Sequence, residues 1–207
     1  MDEELVFRIV FWVQLFLVLF FNRVLPALRA RKSGTELMPD ESAVKNEGGI
    51  YVCIRISLFV LILAVVSFYS IYPRFMDILH IGFPLWIRWL GTLISFVGLA
   101  FWIYSQSVLD INWSAQLRIQ KEHQLVDTGP YRIIRHPIYS AMFLWTIGLI
   151  LCTASAVFIV LAALMIVALI ARVPKEEKMM IGQFGDKYRK YMLTTGRYFP
   201  KLRGQGK

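Results

Sequence analysis

Residues 129–139 read Gly-Pro-Tyr-Arg-Ile-Ile-Arg-His-Pro-Ile-Tyr, a cationic, aromatic stretch broken by two prolines and set directly before a long apolar run. Arg135-His136-Pro137 places an extended residue and a fixed ring just ahead of a helix. The backbone N–H groups of the first turn, around Ile138 and Tyr139, are therefore expected to be free to meet a ligand. Arg132 and Arg135 beside them favour an anionic group such as a carboxylate. At the far end of the apolar run stand Glu176 and Glu177, with Arg172 one helical turn earlier, where opposite charges on one face pair or grip a zwitterion. Read singly, each of these charges is equally a solvated juxtamembrane residue, and His136 is a structural cap or tautomer-fixed hydrogen-bonder rather than a base. Brought to the two feet of one hairpin, they make a site.

The elements that would bring them together follow from hydropathy. At 207 residues, 57% hydrophobic, with a mean hydropathy of +0.55, the chain is too apolar for an ordinary soluble domain and short enough for one structural unit. It reads as an all-α, polytopic integral membrane protein. The net charge of +9 and pI near 9.7 then belong to cationic loops facing anionic lipid rather than to nucleic-acid binding, because no aromatic-basic recognition motif accompanies them. Cys53 and Cys152 lie inside apolar runs with no neighbouring ligand cluster, which predicts buried, inert thiols and no metal site.

In chain order, residues 5–28 form a first span. Its acidic start, Asp2, Glu3 and Glu4, argues against a cleaved signal, and Pro26 is expected to kink or end it. Residues 29–49, mixed in charge and holding four Gly or Pro residues, read as a loop. Residues 50–72 and 85–108 are the second and third spans, with Trp86, Trp89 and Trp102 as interfacial or packing aromatics. Gly91 and Gly98, on roughly one face of the third, permit a close helix neighbour. Residues 109–137 are polar and irregular. The 34 apolar residues 138–171 exceed what one helix needs to cross a core of about 30 Å, so they form two helices bent at Cys152, Thr153, Ala154 and Ser155. This tight hairpin returns residues 129–139 to the neighbourhood of Arg172, Glu176 and Glu177.

About five transmembrane helices result. Ten of the 23 Lys and Arg residues fall within 172–207, which by the positive-inside rule puts the C-terminus and the loops around residues 40 and 120 in the cytoplasm and the N-terminus outside. Residues 176–192 continue with Met180, Phe184, Tyr188 and Tyr191 at near-helical spacing, and Gly185-Asp186 is expected to end one helix and cap the next. That predicts an amphipathic interfacial segment.

In this order, Gly-Pro-Tyr-Arg-x-x-Arg-His-Pro-x-Tyr, an apolar hairpin, Arg172-Val-Pro-Lys-Glu176-Glu177, Phe184-Gly185-Asp186-x-Tyr188-x-x-Tyr191 and Arg197-Tyr198-Phe199-Pro200, the motifs resemble the isoprenylcysteine carboxyl methyltransferase family, over residues 112–200. That family sits within a wider group that includes the phospholipid methyltransferases. Ala141, where many relatives carry glycine, and Met180, where they carry leucine, depart from the pattern. The resemblance implies an S-adenosylmethionine-dependent enzyme that releases S-adenosylhomocysteine, with its active site facing the cytoplasm. Residues 1–108 would be a three-span membrane region. Residues 109–207 would be a catalytic region of cofactor loop, hairpin and cofactor-covering C-terminal segment. It further implies Tyr131, His136, Tyr139, Glu176 and Glu177 as cofactor contacts, Leu125, Val126 and Gly129 as the adjoining loop, and Arg172 as the catalytic group orienting the acceptor carboxylate. The acceptor would be a prenylated cysteine or similar lipophilic acid, reached from membrane lipid. Trp113, Trp145 and the third span are candidates for that lipid-side opening, though equally packing aromatics. N-methylation of a phospholipid amine and a non-enzymatic membrane scaffold are the alternatives. Methyl transfer to a carboxylate needs no Ser-His pair and no metal, and neither constellation is present in the sequence.

Overall fold

A computed structural model describes residues 3–32, 48–72, 79–109 and 124–201. The first apolar stretch is helical from end to end: α1 (Glu3–Leu19), a π-helical turn (Phe20–Val24) and α2 (Leu25–Lys32). Pro26 does not end it. A proline lacks an N–H and crowds the carbonyl four residues back, and the widened turn directly before it, with the Leu25 N–H donating to the Phe20 carbonyl, lets the helix pass. The loop expected over residues 29–49 therefore starts no earlier than residue 33, and residues 33–47 lie outside the described residues.

Beyond it come α3 (Gly49–Ile71), α4 (Leu85–Leu109), a 3-10 turn (Gly129–Arg132), α5 (Pro137–Thr153), α6 (Ala156–Phe184) and α7 (Asp186–Thr194). No strand occurs among the described residues, which carry only two isolated bridges. α4, α6 and the Val52–Tyr69 part of α3 are long and apolar enough to cross a membrane, and α5 is a shorter apolar helix beside them. The outward faces carry Phe59, Leu93, Val160 and Val167, all more than half exposed. A soluble surface would not carry such a load, and here it is the face offered to lipid. The chain is an all-α integral membrane protein. Cys152 is fully buried as expected, whereas Cys53 is exposed on α3.

The most extensive helix contact is α4 against α5, and glycine makes it possible. A Cβ on Gly98 would lie 2.5 Å from the Trp145 backbone nitrogen, and one on Gly148 would strike the Ser95 backbone nitrogen. Gly91 abuts Leu151 and Cys152 in the same way. Without a solvent-driven force between helices in lipid, such backbone-to-backbone approach supplies the dispersion contact that holds them. Ala141, fully buried, stands two turns before Gly148 on this same face.

Ala154, in the left-handed region at φ 48°, turns the hairpin between α5 and α6 where the sequence predicts the bend. The turn is tied to the segment ahead of α4: Ile81 N–H donates to the Ala154 carbonyl at 2.6 Å and Ala156 N–H to the Leu79 carbonyl at 2.9 Å. Beside it Arg88, 4% exposed, donates through Nε to the Cys152 carbonyl at 3.1 Å, forks both terminal nitrogens onto the Glu4 carboxylate and lies 3.9 Å over the Phe7 ring. Glu4 thus pins the N-terminal helix to the bend. Near the bend end of the bundle Phe11, Tyr69 and Phe158 meet edge to face at 5.2–5.4 Å and join α1, α3 and α6. Trp145, a packing residue, donates to the Gln14 side chain at 3.1 Å. Trp113 lies outside the described residues.

Gly148→Ala is expected to cost about 1–3 kcal/mol by overpacking the seam. Gly182→Ala, whose added methyl meets nothing within 4 Å on α6, is expected to leave stability unchanged or raise it. Thermal unfolding of the detergent-solubilised protein reads both, and equal midpoints for the two variants would show that the seam does not depend on glycine.

Candidate functional site

The site forms where α5 begins, α6 ends and the C-terminal segment folds back. Gly129, at φ 54°, opens the 3-10 turn, and a side chain there would press on Tyr104 and Val108 of α4. Leu125 and Val126, half-buried, stand in residues 124–127, a stretch without regular secondary structure that leads into it. The turn closes with Tyr131 N–H donating to the Thr128 carbonyl at 3.1 Å and points Tyr131 inward, 6% exposed. His136, at φ −121° and ψ 59°, stays out of the α region, as a residue before proline should, and α5 starts at Pro137.

The expected free donors at this helix start are in fact used. Tyr139 and Ser140 N–H groups both donate to the His136 carbonyl, at 3.1 and 3.2 Å. Arg135 and His136 N–H groups donate to the carbonyls of Gly196 and Arg197, at 2.8 and 3.0 Å. The C-terminal residues 195–200 thereby run as a strap alongside residues 133–136. Gly196 is required in it, because a Cβ would collide with the Phe199 carbonyl.

Arg135 does not face a ligand either. α6 runs on through Pro174 to Phe184, and its charged turns from Arg172 onward stand beyond the apolar run. There Glu177, 4% exposed, accepts from Arg135 Nε at 3.2 Å and from Arg197 at 2.6 Å, and its Oε1 lies 3.4 Å from His136 Nε2. Arg135 reaches on to the carbonyls of Met192 and Thr195, and Tyr191 Oη donates to the Tyr131 carbonyl at 2.6 Å. This clasp locks the α5 foot, the α6 foot, α7 and the strap to one carboxylate. Burial alone would raise the Glu177 carboxyl, but hydrogen bonds from His136 and Arg197, and their charge, outweigh it and hold it at about 2. Asp186 is the first residue of α7 and not its cap, which is Gly185.

The acidic pair therefore splits. Glu176, half-buried, accepts from Tyr139 Oη at 2.7 Å, and the Tyr139 ring stacks on His136 at 5.5 Å and 7°. Tyr198 from the strap lies 6.2 Å from His136. Nearby, the buried Tyr131 hydroxyl has no hydrogen-bond partner among the described residues, and burial together with the Glu176 charge pushes its ionisation far up. Arg172 is half-buried, one turn up α6 from Glu176 toward the bend. So the structure joins Tyr131, His136, Tyr139, Glu176 and Glu177, with Gly129 shaping the turn, Leu125 and Val126 ahead of it, and Arg172 above. Thr195 and the clasp role of Arg197 carry no sequence signal beyond the closing Arg-Tyr-Phe-Pro motif. No group of three or more His, Cys, Asp or Glu residues able to hold a metal occurs among the described residues.

The model of the isoprenylcysteine carboxyl methyltransferase family matches residues 89–182, beginning inside α4 and ending in α6. Protein-S-isoprenylcysteine O-methyltransferase B of Arabidopsis thaliana is 31% identical over 77 residues, 37% of this chain and 39% of that protein. Cobalt-zinc-cadmium resistance protein CzcN of Cupriavidus metallidurans is 28% identical over 118 residues, 56% of this chain and 55% of that one. A solved structure of a eukaryotic intramembrane Ras methyltransferase of the same family name superimposes with a TM-score of 0.49 at 21% identity, covering 74% of this chain and 53% of that one. In each case the chain falls well short of its relative's full length.

Removing the clasp carboxylate should free the strap. Glu177→Gln is expected to make residues 186–201 cleavable by limited proteolysis under conditions where the parent resists. Because the folded carboxyl is depressed, its contribution to stability is complete above the ordinary value of 4.5 and is lost as pH falls toward about 2. The thermal midpoint of the parent should drop through that window, and that of Glu177→Gln should change less. Parallel curves would remove Glu177 as the source.

Proposed function

We propose that the chain, whose residues 89–182 match the isoprenylcysteine carboxyl methyltransferase family, is an S-adenosylmethionine-dependent membrane methyltransferase of that family, acting on the carboxylate of a prenylated cysteine or similarly lipophilic acid. The observation that carries the reading is the Tyr139–Glu176 pair set beside a buried, unpartnered Tyr131 hydroxyl at the feet of the hairpin, where a polar ligand would be satisfied. Residues 109–207 form the catalytic region, and the cationic C-terminal part faces the cytoplasm.

When bound, S-adenosylmethionine supplies an electrophilic methyl on a sulfonium, toward which an ionised carboxylate is nucleophile enough without a base. Glu176 accepts hydrogen bonds from ribose hydroxyls or the amino group. The faces of Tyr131 and Tyr139 attract the sulfonium by cation–π contact. Leu125, Val126 and Gly129 form the adjoining wall. Arg172 orients the acceptor carboxylate. His136 and Glu177 act as positioning residues: His136 Nε2 and the Glu177 carboxylate are engaged in the clasp, which holds Tyr139 and the strap in place. The reaction is thus left to positioning and to fixed charge in a site shielded from water.

Calorimetry should show saturable binding of S-adenosylmethionine and S-adenosylhomocysteine to the parent protein, weakened at least tenfold in Glu176→Ala. Arg172→Ala should keep that binding and lose methylation of a prenylcysteine acceptor. A well-folded parent that binds neither nucleoside would return the chain to a scaffold role, and an Arg172→Ala variant that still methylates the carboxylate would remove the acceptor assignment.

A further inference from the structure

Several buried polar atoms in the bundle lack a hydrogen-bond partner, among them single hydroxyls such as those of Thr146 and Ser155. Gln14 leaves only its amide nitrogen open, since its oxygen accepts from Trp145. Gln106 differs. It is 7% exposed, and it is the one side chain among the described residues whose two amide atoms are both buried and unpartnered. A primary amide left dry on both sides forfeits about 1–3 kcal/mol per group, so its retention in an apolar bundle asks for an explanation.

Its place in the fold suggests one. Gly91 lies against Cys152, Ser95 against Gly148 and Gly98 against Trp145. Continued along the two antiparallel helices, that register sets Ser105 and Gln106 of α4 level with Ile138 and Pro137, at the foot of α5. The 3-10 turn bearing Tyr131 packs on the same end of α4, with Gly129 against Tyr104 and Val108. Ser105, wholly buried, and Tyr131 also have unpartnered hydroxyls. Three open polar side chains thus converge from α4 and the turn on the end of the hairpin that carries Tyr139 and Glu176.

The chemistry of Gln106 narrows the ligand group. Its amide presents one donor and one acceptor side by side, whichever way it is turned. A carboxylate offers acceptors alone and an ammonium donors alone, so either would leave half the amide unpaired. The 6-amino group of adenine and the ring nitrogen beside it offer a donor and an acceptor at matching spacing, the pairing by which glutamine reads adenine in other settings. We infer that Gln106 recognises the adenine edge of the methyl donor from the floor of the site, with the Ser105 and Tyr131 hydroxyls closing on the same ligand. This assignment rests on the cofactor reading given above.

The test compares S-adenosylhomocysteine with its analogue bearing unsubstituted purine in place of adenine, by calorimetry on the parent and on Gln106→Met. The parent should prefer the adenine ligand by about tenfold. Gln106→Met should bind S-adenosylhomocysteine about tenfold more weakly and lose the preference. Without ligand it should unfold at the parent's temperature or above, because an apolar side chain of similar size replaces two unpaired polar atoms. A variant that keeps the parent's preference for adenine, or that unfolds earlier in the absence of ligand, overturns the assignment while leaving the cofactor reading intact. A folded parent that binds neither ligand overturns both.

Discussion

Backbone contact between α4 and α5 requires that Gly91, Gly98 and Gly148 carry no side chain, and the positions of the site groups follow from it. Helices at ordinary separation are spaced by side chains that repack, whereas helices in backbone contact have few ways to slide. In lipid this matters more, because no hydrophobic force corrects a loose pair. The seam sets where α5 starts relative to the end of α4, and so where the 129–132 turn, His136 and Tyr139 stand.

The hairpin is then fixed at both ends by charge. At the bend Arg88 joins Glu4 to the Cys152 carbonyl, and at the feet Glu177 gathers Arg135, His136 and Arg197. A charge beside hydrocarbon is tolerated only when paired, and removing one partner of a buried pair typically costs about 3–5 kcal/mol. Each cluster therefore acts as a staple between segments distant in the chain. The N-terminal helix is held at one end, and the C-terminal strap at the other.

That division of labour explains why two adjacent glutamates have different surroundings. Successive helix residues point about 100° apart. Glu177 turns toward the α5 foot and the strap and is saturated there. Glu176 turns toward Tyr139, with one hydrogen bond and room for more. The methyl transfer proposed above, from a sulfonium to a carboxylate, would remove charge as it proceeds, so a dry, rigid pocket would suit it, and the clasp would supply rigidity without placing its own charges at the reacting atoms.

The sequence by itself determined the class of fold, the hairpin and its bend, and the meeting of residues 129–139 with the 172–177 region. Those follow from apolar run length, from a break of small residues at 152–155, and from the necessity that a hairpin bring its ends together. It also marked Gly91 and Gly98, though not Gly148, their counterpart on the facing helix. Only the tertiary structure decided which polar groups are consumed. Arg135 reads as a ligand-gripping cation and the first-turn N–H groups of α5 as open donors, yet Glu177 takes the first and the His136 carbonyl takes the N–H groups of Tyr139 and Ser140. Arg88, inside an apolar run, gains its partner only when Glu4 is folded onto it. Gln106, unremarkable in the sequence, is conspicuous only because nothing among the described residues pairs with it. Run length and local pattern reside in neighbouring residues, whereas hydrogen-bond satisfaction depends on partners far away in the chain, and only folding brings those within reach.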